Sequence, residues 1–404
     1  MRDPEIISTF VEQNFIKGRQ FIHTIGKELT PCYLFEPAVV KSRAKAFKRA
    51  FQYHLPDTSF YYAVKSNNFP DVSQAAIESG FGLDVSSGAE LEMALEIGAK
   101  DIVFSGPGKT ESELDIAVIH SGKVKVLMDS FTELKRLEKR AAKADRKVRA
   151  GVRINSDPKG LWRKFGILLH DLNDFIQMSK NCPHISFQGI QFHSSWNMGP
   201  EKQVAFIKEL GQTIASLSAS DKKMIRFIDI GGGYWPEQGE WLHVSSANKN
   251  NLNPELHINC AVSIEDFAME ISRALFENIH NQIGCRICFE PGRWICNNSM
   301  HIILKVIDKK YHNMVITDGG TNAVGWERFE TDYFPVLNLS RPEIKERECL
   351  ILGSLCTPHD VWGYRYWGKD IQEGDILMIP TQGAYTYSLR QNFIKDVPQV
   401  IVFP

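Results

Sequence analysis

The stretch Phe60-Tyr61-Tyr62-Ala63-Val64-Lys65-Ser66-Asn67 decides how the chain is read. Its first five residues, aromatic and β-branched, read as a buried strand. A lysine then stands where the strand should end, followed by small polar residues and Pro70. A charge at the mouth of an apolar strand is costly unless something neutralises or uses it. Two readings are open on the octapeptide alone. The lysine can snorkel to solvent, or it can sit in an apolar pocket with a depressed pKa and form a Schiff base with an aldehyde.

Outward from this strand, short apolar runs alternate with helical patterns. The runs are Ser59–Val64, Gly82–Val85, Asp101–Phe104, Val124–Leu127, Val148–Ile154, Ile185–Phe192, Ile225–Ile230 and Arg286–Glu290. Helical patterns over residues 37–52, Ser87–Glu96, Thr110–His120 and Ser130–Ala144 lie before or between them. Strict alternation predicts a parallel sheet, and eight units predict closure into a (β/α)8 barrel over residues 36–295. Beyond residue 300 the runs are strand-like: His301–Asp308, Met314–Thr317, Glu348–Leu352, Asp375–Ile379 and Val400–Phe403. They predict an all-β domain of residues 296–404. Residues 1–35, with a short helical pattern and the strand-like Cys32–Phe35, are expected to complete it.

Composition excludes several classes. The chain has 404 residues, 43% hydrophobic and 24% charged, with a formal net charge of −1. This is globular composition for two domains, with no basic block for nucleic acid or an anionic membrane. No apolar run approaches a membrane span. Met1-Arg2-Asp3-Pro4-Glu5 lacks the apolar region of a signal peptide, and the expected location is the cytoplasm. Eight cysteines are too sparse for a disulfide scaffold. Cys285 and Cys288 have metal-like spacing but sit in an apolar run with no second pair, so burial is expected and no metal.

Functional groups of such a barrel cluster at the C-terminal ends of its strands. Lys65 and Asp84 close the first two strands, and Glu90 fits a capping box with Ser87. Arg153 and His193 lie at the ends of two more, His193 being open to a structural reading. Asp229-Ile230-Gly231-Gly232-Gly233 presents three consecutive glycines, which suit an anion cradle or a tight turn. Glu290-Pro291-Gly292-Arg293 ends the eighth strand. Arginine suits phosphate, and a carboxylate facing a pyridine nitrogen keeps it protonated. An aldehyde-bearing pyridine phosphate needs a lysine, a ring partner, a phosphate cradle and an acid at the ring nitrogen. Lys65, His193, the glycine loop with Arg293, and Glu290 supply these four.

With these residues in place, the chain resembles the fold-type III pyridoxal-phosphate decarboxylases, the diaminopimelate, ornithine and arginine decarboxylases built on an alanine-racemase-like barrel. The matching stretches are Tyr62–Asn67, Asp84–Glu90, Phe192-His193, Asp229–Gly233, Glu290–Arg293, Cys356 with Asp360, and Gly383-Ala384-Tyr385. The resemblance implies that Lys65 holds pyridoxal 5'-phosphate and that His193 stacks on its ring. Asp84 and Glu90 would lie on the lysine side. Gly231, Gly232, Gly233, Gly292, Arg293 and Tyr385 would bind cofactor, chiefly its phosphate, and Glu290 would pair with the ring nitrogen. Cys356 would be the acid that protonates the α-carbon after carbon dioxide leaves. Arg153, Cys356 and Asp360 would contact substrate, Cys356 and Asp360 across an obligate homodimer with shared sites.

Two departures from the family pattern bear on substrate. Three residues after His193, where a phosphate-binding serine is usual, stands Trp196; Ser194 or Ser195 are candidates to replace it. In Gly353-Ser354-Leu355-Cys356-Thr357-Pro358-His359-Asp360, the residue after the cysteine is Thr357 and not an acid. A distal ammonium would lose a charge-assisted contact there. The Leu-Cys-Thr-Pro form resembles decarboxylases of siderophore or other specialised biosynthesis, which act on amino-acid conjugates. Lys159, Arg163 and Lys164 are candidates for an anionic distal group. Decarboxylation of a free diamino acid is the alternative, followed by a racemase or a non-catalytic homologue.

Overall fold

The computed structural model describes residues 3–25, 29–244, 255–325 and 332–403. The N-terminal Met1 and Arg2, and parts of the expected β-domain ranges, lie outside the described residues. The chain starts with helix α1 (Asp3–Ile25), strand β1 (Cys32–Phe35) and α2 (Pro37–His54). There follow β2 (Thr58–Ala63), α3 (Pro70–Glu78), β3 (Gly82–Val85), α4 (Gly88–Glu96), β4 (Ile102–Phe104), α5 (Glu111–Ile119), β5 (Val124–Met128) and α6 (Phe131–Lys143). Next come β6 (Val148–Ile154), α7 (Leu172–Lys180), β7 (Ile185–Phe192), α8 (Glu201–Ser216), α9 (Ala219–Lys222) and β8 (Phe227–Asp229). Then come β9 (Glu240–Val244), β10 (Glu255–Asn259), α10 (Ile264–Leu275), β11 (Arg286–Phe289) and α11 (Arg293–Cys296). The last elements are β12 (Met300–Lys310), β13 (Met314–Thr317), β14 (Leu337–Asn338), β15 (Glu346–Leu352), β16 (Val361–Trp367), β17 (Ile376–Ile379) and β18 (Gln399–Val402).

One compact unit comprises Lys41–Glu237 and Ala261–Ile295. Its strands close a parallel barrel in the order β11-β2-β3-β4-β5-β6-β7-β8. Each expected barrel run is a strand of this barrel. Tyr61, Val103, Leu127, Phe227 and Cys288 form one buried cluster. Cys288 is therefore a core thiol, and none of the eight cysteines is in a disulfide. Outside the barrel wall, Phe47 and Phe51 of α2 are fully buried and pack on Phe289. Each contributes about 1.5–3 kcal/mol by leaving water. Ser87, Thr110 and Ser130 cap α4, α5 and α6 by accepting the backbone N–H of Glu90, Glu113 and Glu133 at 3.2, 3.3 and 3.1 Å. These caps turn the chain back just beyond β3, β4 and β5, at the end of the barrel where functional groups gather.

The other unit comprises Met1–Val40, Gln238–Cys260 and Cys296–Pro404. It holds a mixed sheet in the order β13-β15-β16-β14-β17-β12-β1-β18. β1 completes this sheet, antiparallel to β12 with Cys32 opposite Ile303 and parallel to β18. Three parts of the unit were not legible in the sequence. The helical pattern near the N-terminus is a helix of 23 residues, whose Val11, Phe15 and Phe21 enter the sheet's core with Leu34, Ile303 and Met378. The hairpin of β9 and β10, inside the expected barrel range, groups with this unit, and Trp241 joins the same core. Its short polar-alternating strands lie between two barrel runs, so order along the chain assigned it to the barrel. β16 escaped notice because Gly363 interrupts its apolar alternation. No helix among the described residues is long and apolar enough to cross a membrane.

Candidate active site

β2 ends at Ala63, one residue earlier than expected, and Lys65 lies in a single 3-10 turn, Val64–Ser66. The lysine does not simply snorkel. Its Nζ lies 2.9 Å from Oδ2 of Asp84, whose side chain is fully buried at the end of β3. The other Asp84 oxygen accepts from Ser105 Oγ at 2.5 Å. A buried carboxylate with both oxygens engaged fixes the lysine's position at the barrel mouth. Glu90 accepts from the Ser86 amide at 2.7 Å, so the expected capping box is shifted by one residue on its return side. Burial raises the Glu90 carboxyl, against that hydrogen bond and the Lys65 charge.

Two more carboxyls sit inside. Glu290, 2% exposed, follows β11, and its Oε2 accepts from Gln191 Nε2 at 3.2 Å. Its Oε1 is buried and receives no N–H from the described residues, and its carboxyl shares a hydrogen bond with that of Asp229. Asp229 ends β8 and accepts the Gly231 amide at 2.9 Å. Burial pushes Asp229 up to about 6, with Asp84 adding to it. Burial, then Asp229 and Asp84, raise Glu290 well above the usual carboxyl range, while Lys65 and Arg153 oppose this. Three buried acids, Asp84, Asp229 and Glu290, lie here with Lys65, Arg153 and Lys125 as their opposing cations.

His193 follows β7. Its Nδ1 accepts the Gly232 amide at 3.1 Å, and Nε2 lies 2.9 Å from Ser195 Oγ. An accepting Nδ1 places the ring proton on Nε2. Desolvation, then Arg153 and Lys65, push the imidazole well below its ordinary value, so it is neutral near pH 7. Ser195 is thus engaged with His193, and Ser194 accepts from Asn197 at 3.2 Å. The Arg153 guanidinium lies over the Phe165 ring at 4.3 Å.

The glycine loop is tight for reasons the structure makes explicit. Gly231 and Gly233 have φ of 68° and 85°, and a Cβ on Gly232 would meet the Glu290 carbonyl oxygen at 2.2 Å. Two of its amides, those of Gly231 and Gly232, serve Asp229 and His193. A side chain at Gly292 would meet Ser66 Oγ at 2.8 Å. Arg293 lies 4.1 Å over the Trp235 ring. The barrel unit thus gathers Lys65, Asp84, Arg153, His193, Gly231, Gly232, Gly233, Glu290, Gly292 and Arg293.

Cys356, Asp360 and Tyr385 belong to the sheet unit. Cys356 is exposed. Asp360 is 2% exposed, and its two oxygens accept the Thr321 and Leu355 amides at 2.7 and 2.6 Å. Tyr385 has a left-handed φ of 56°. Sequence reasoning missed Gln191 and Ser105. For Gln191 a signal existed, since it is a polar residue at an inward position of an otherwise apolar strand end.

A family model described as the pyridoxal-dependent decarboxylase pyridoxal-binding domain matches residues 38–297. The chain belongs to the fold-type III pyridoxal-dependent decarboxylases. It is 28% identical to a diaminopimelate decarboxylase of Aquifex aeolicus, over 94% of this chain and 87% of that protein. It is 25% identical to the L-glutamyl-[BtrI acyl-carrier protein] decarboxylase of Niallia circulans, over 89% of this chain and 85% of that protein. In fold it is similar to a diaminopimelate decarboxylase from M. jannaschii, with TM-score 0.78 at 21% identity, covering 95% and 88% of the two chains. As a family member the chain is a pyridoxal-phosphate-dependent decarboxylase with the alanine-racemase-like barrel and a separate sheet domain.

The residues present fit that cofactor. The buried Glu290 carboxyl, crowded by Asp229 and Asp84, can give its proton to a basic pyridine nitrogen and pair with the ring cation so formed. Lys65 is held at the same mouth, and the glycine loop has room for backbone alone.

Proposed function

We propose that this chain removes the α-carboxylate of an amino acid as carbon dioxide, with Lys65, Glu290 and His193 holding the cofactor. The observation that carries the reading is the buried Glu290 carboxyl, crowded by Asp229 and Asp84, in the barrel that also fixes Lys65 on Asp84. Bound pyridoxal phosphate supplies an electron sink for the electrons left behind by carbon dioxide. The chain's own part is placement and proton control. Glu290 holds a proton at the ring nitrogen, neutral His193 presents its ring face, and Cys356 delivers a proton to the α-carbon. Arg293, the Gly233 amide and Tyr385 hold the phosphate. Cys356 and Asp360, with their loop, act across a homodimer with shared sites.

On substrate, the named relatives favour the free-diamino-acid alternative, such as diaminopimelate, over the conjugate that the sequence puts first. A siderophore role has no support from their names. One specific observation favours a conjugate as a second reading. Thr357 is neutral, and the only acid of the Gly353–Asp360 loop, Asp360, spends both oxygens on backbone amides. That loop therefore has no free carboxylate for a distal ammonium. The test is carbon dioxide release from diaminopimelate, ornithine and lysine, set against forms acylated on the distal nitrogen alone. Release from none, by protein carrying the cofactor's visible absorbance, would refute decarboxylation.

A further inference from the structure

Trp196 has a left-handed φ of 52°, a conformation that bulky residues rarely adopt. Its neighbour Asn197 enforces it, donating its amide to the Gly233 carbonyl and its side chain to the Ser194 carbonyl, both at 3.1 Å. The result turns the indole toward the loop after β6. There Trp162 lies with its ring 5.7 Å from Trp196 and 6.3 Å from His193. An aromatic surface thus runs outward from the histidine. Trp196 remains 50% exposed, so the chain leaves that surface open.

The loop is built and not slack. At its base the Asn155 amide donates to Ile167, and the Ile167 amide to Arg153, at 2.8 and 3.0 Å. Ser156 Oγ donates to the His193 carbonyl at 2.7 Å. Residues 155–166 carry Lys159, Arg163 and Lys164 against the single acid Asp157. Lys164 lies over the Phe165 ring, and Lys159 and Arg163 are exposed on the same loop as Trp162. Indole faces attract cations, but the exposed cations Lys159 and Arg163 on the same loop oppose that. An aliphatic chain on the indoles that ends in an anion satisfies both features.

We propose that Trp162 and Trp196, with Lys159 and Arg163, form a specificity wall for the distal part of a substrate ending in a carboxylate. This rests on the decarboxylase reading for its reaction but not for its binding. The probes are ornithine and Nδ-succinylornithine, which differ in the distal group alone. In the holoenzyme, the preference for the succinylated form, as a ratio of kcat/KM values, should fall at least ten-fold in Trp162→Ala and in Arg163→Glu, through KM more than kcat. Saturable quenching of tryptophan fluorescence by Nδ-succinylornithine should occur in the wild type and be lost in Trp162→Ala. The conservative Trp162→Phe should keep most of the preference. Equal ratios in wild type and Arg163→Glu, or absent quenching in a protein that decarboxylates ornithine, overturns the wall alone. Quenching without carbon dioxide release from any amino acid supports the wall and counts against the decarboxylase reading.

Discussion

Gln191 Nε2 donates to one oxygen of Glu290 at 3.2 Å, and the other oxygen is buried and receives no N–H from the described residues. Crowded by Asp229 and Asp84, this carboxyl holds a proton in the empty protein, and a pyridine nitrogen can take that proton and pair with the carboxylate. Glu290→Gln should therefore weaken retention of pyridoxal phosphate and lower activity by about 10²-fold or more, the scale of losing a matched proton-holding group. Cofactor titration by absorbance, alongside turnover, checks this.

Glu290 and its neighbour Asp229 set the pH dependence of the empty protein. Asp229 is raised from 3.8 to about 6, so the fold binds a proton that the unfolded chain releases. Stability from this group is complete below the unfolded value and is lost as pH rises through about 6. The loss is on the order of 3 kcal/mol for Asp229, and Glu290, raised in the same direction, adds to it. Urea denaturation of cofactor-free protein on either side of that window should show the fall, and Glu290→Gln should make it shallower.

Lys65→Ala should abolish both activity and the visible absorbance of lysine-bound cofactor. Cys356→Ala should slow turnover by about 10²–10⁴-fold and yield carbonyl products from protonation at the wrong carbon. An unaltered product distribution would remove Cys356 from its role. If sites are shared between subunits, mixing the two inactive variants should restore about one quarter of wild-type activity through heterodimers. No recovery after subunit exchange would argue for sites within one chain.

Asp360 holds the Cys356 loop through the Leu355 and Thr321 amides. Asp360→Ala leaves two buried N–H groups without acceptors, at about 2–4 kcal/mol. Faster alkylation of Cys356 and a lowered Tm are the expected signs. An unchanged alkylation rate would show that the loop keeps its form without the carboxylate.

Gly232→Ala tests the tightness of the glycine loop, since its Cβ would approach the Glu290 carbonyl oxygen to 2.2 Å. The loop must move, and cofactor affinity should fall together with thermal stability.

The amino-acid sequence by itself determined the barrel, because eight apolar runs separated by capped helices have one economical closure. It also determined the places of Lys65, Asp84, His193, the glycines and Glu290, because each ends a run and must face the mouth. What it could not determine depends on contacts between distant segments. The hairpin of β9 and β10 lies among barrel elements in order yet packs with the sheet core through Trp241. That Gln191 serves Glu290, 99 residues away, follows only from where β7 and β11 meet in space. Trp196 looked like a lost serine, and only the left-handed backbone and the ring of Trp162 give it a surface to form. Periodicity reports which face a residue occupies; which partner it meets there is settled by closure of the fold.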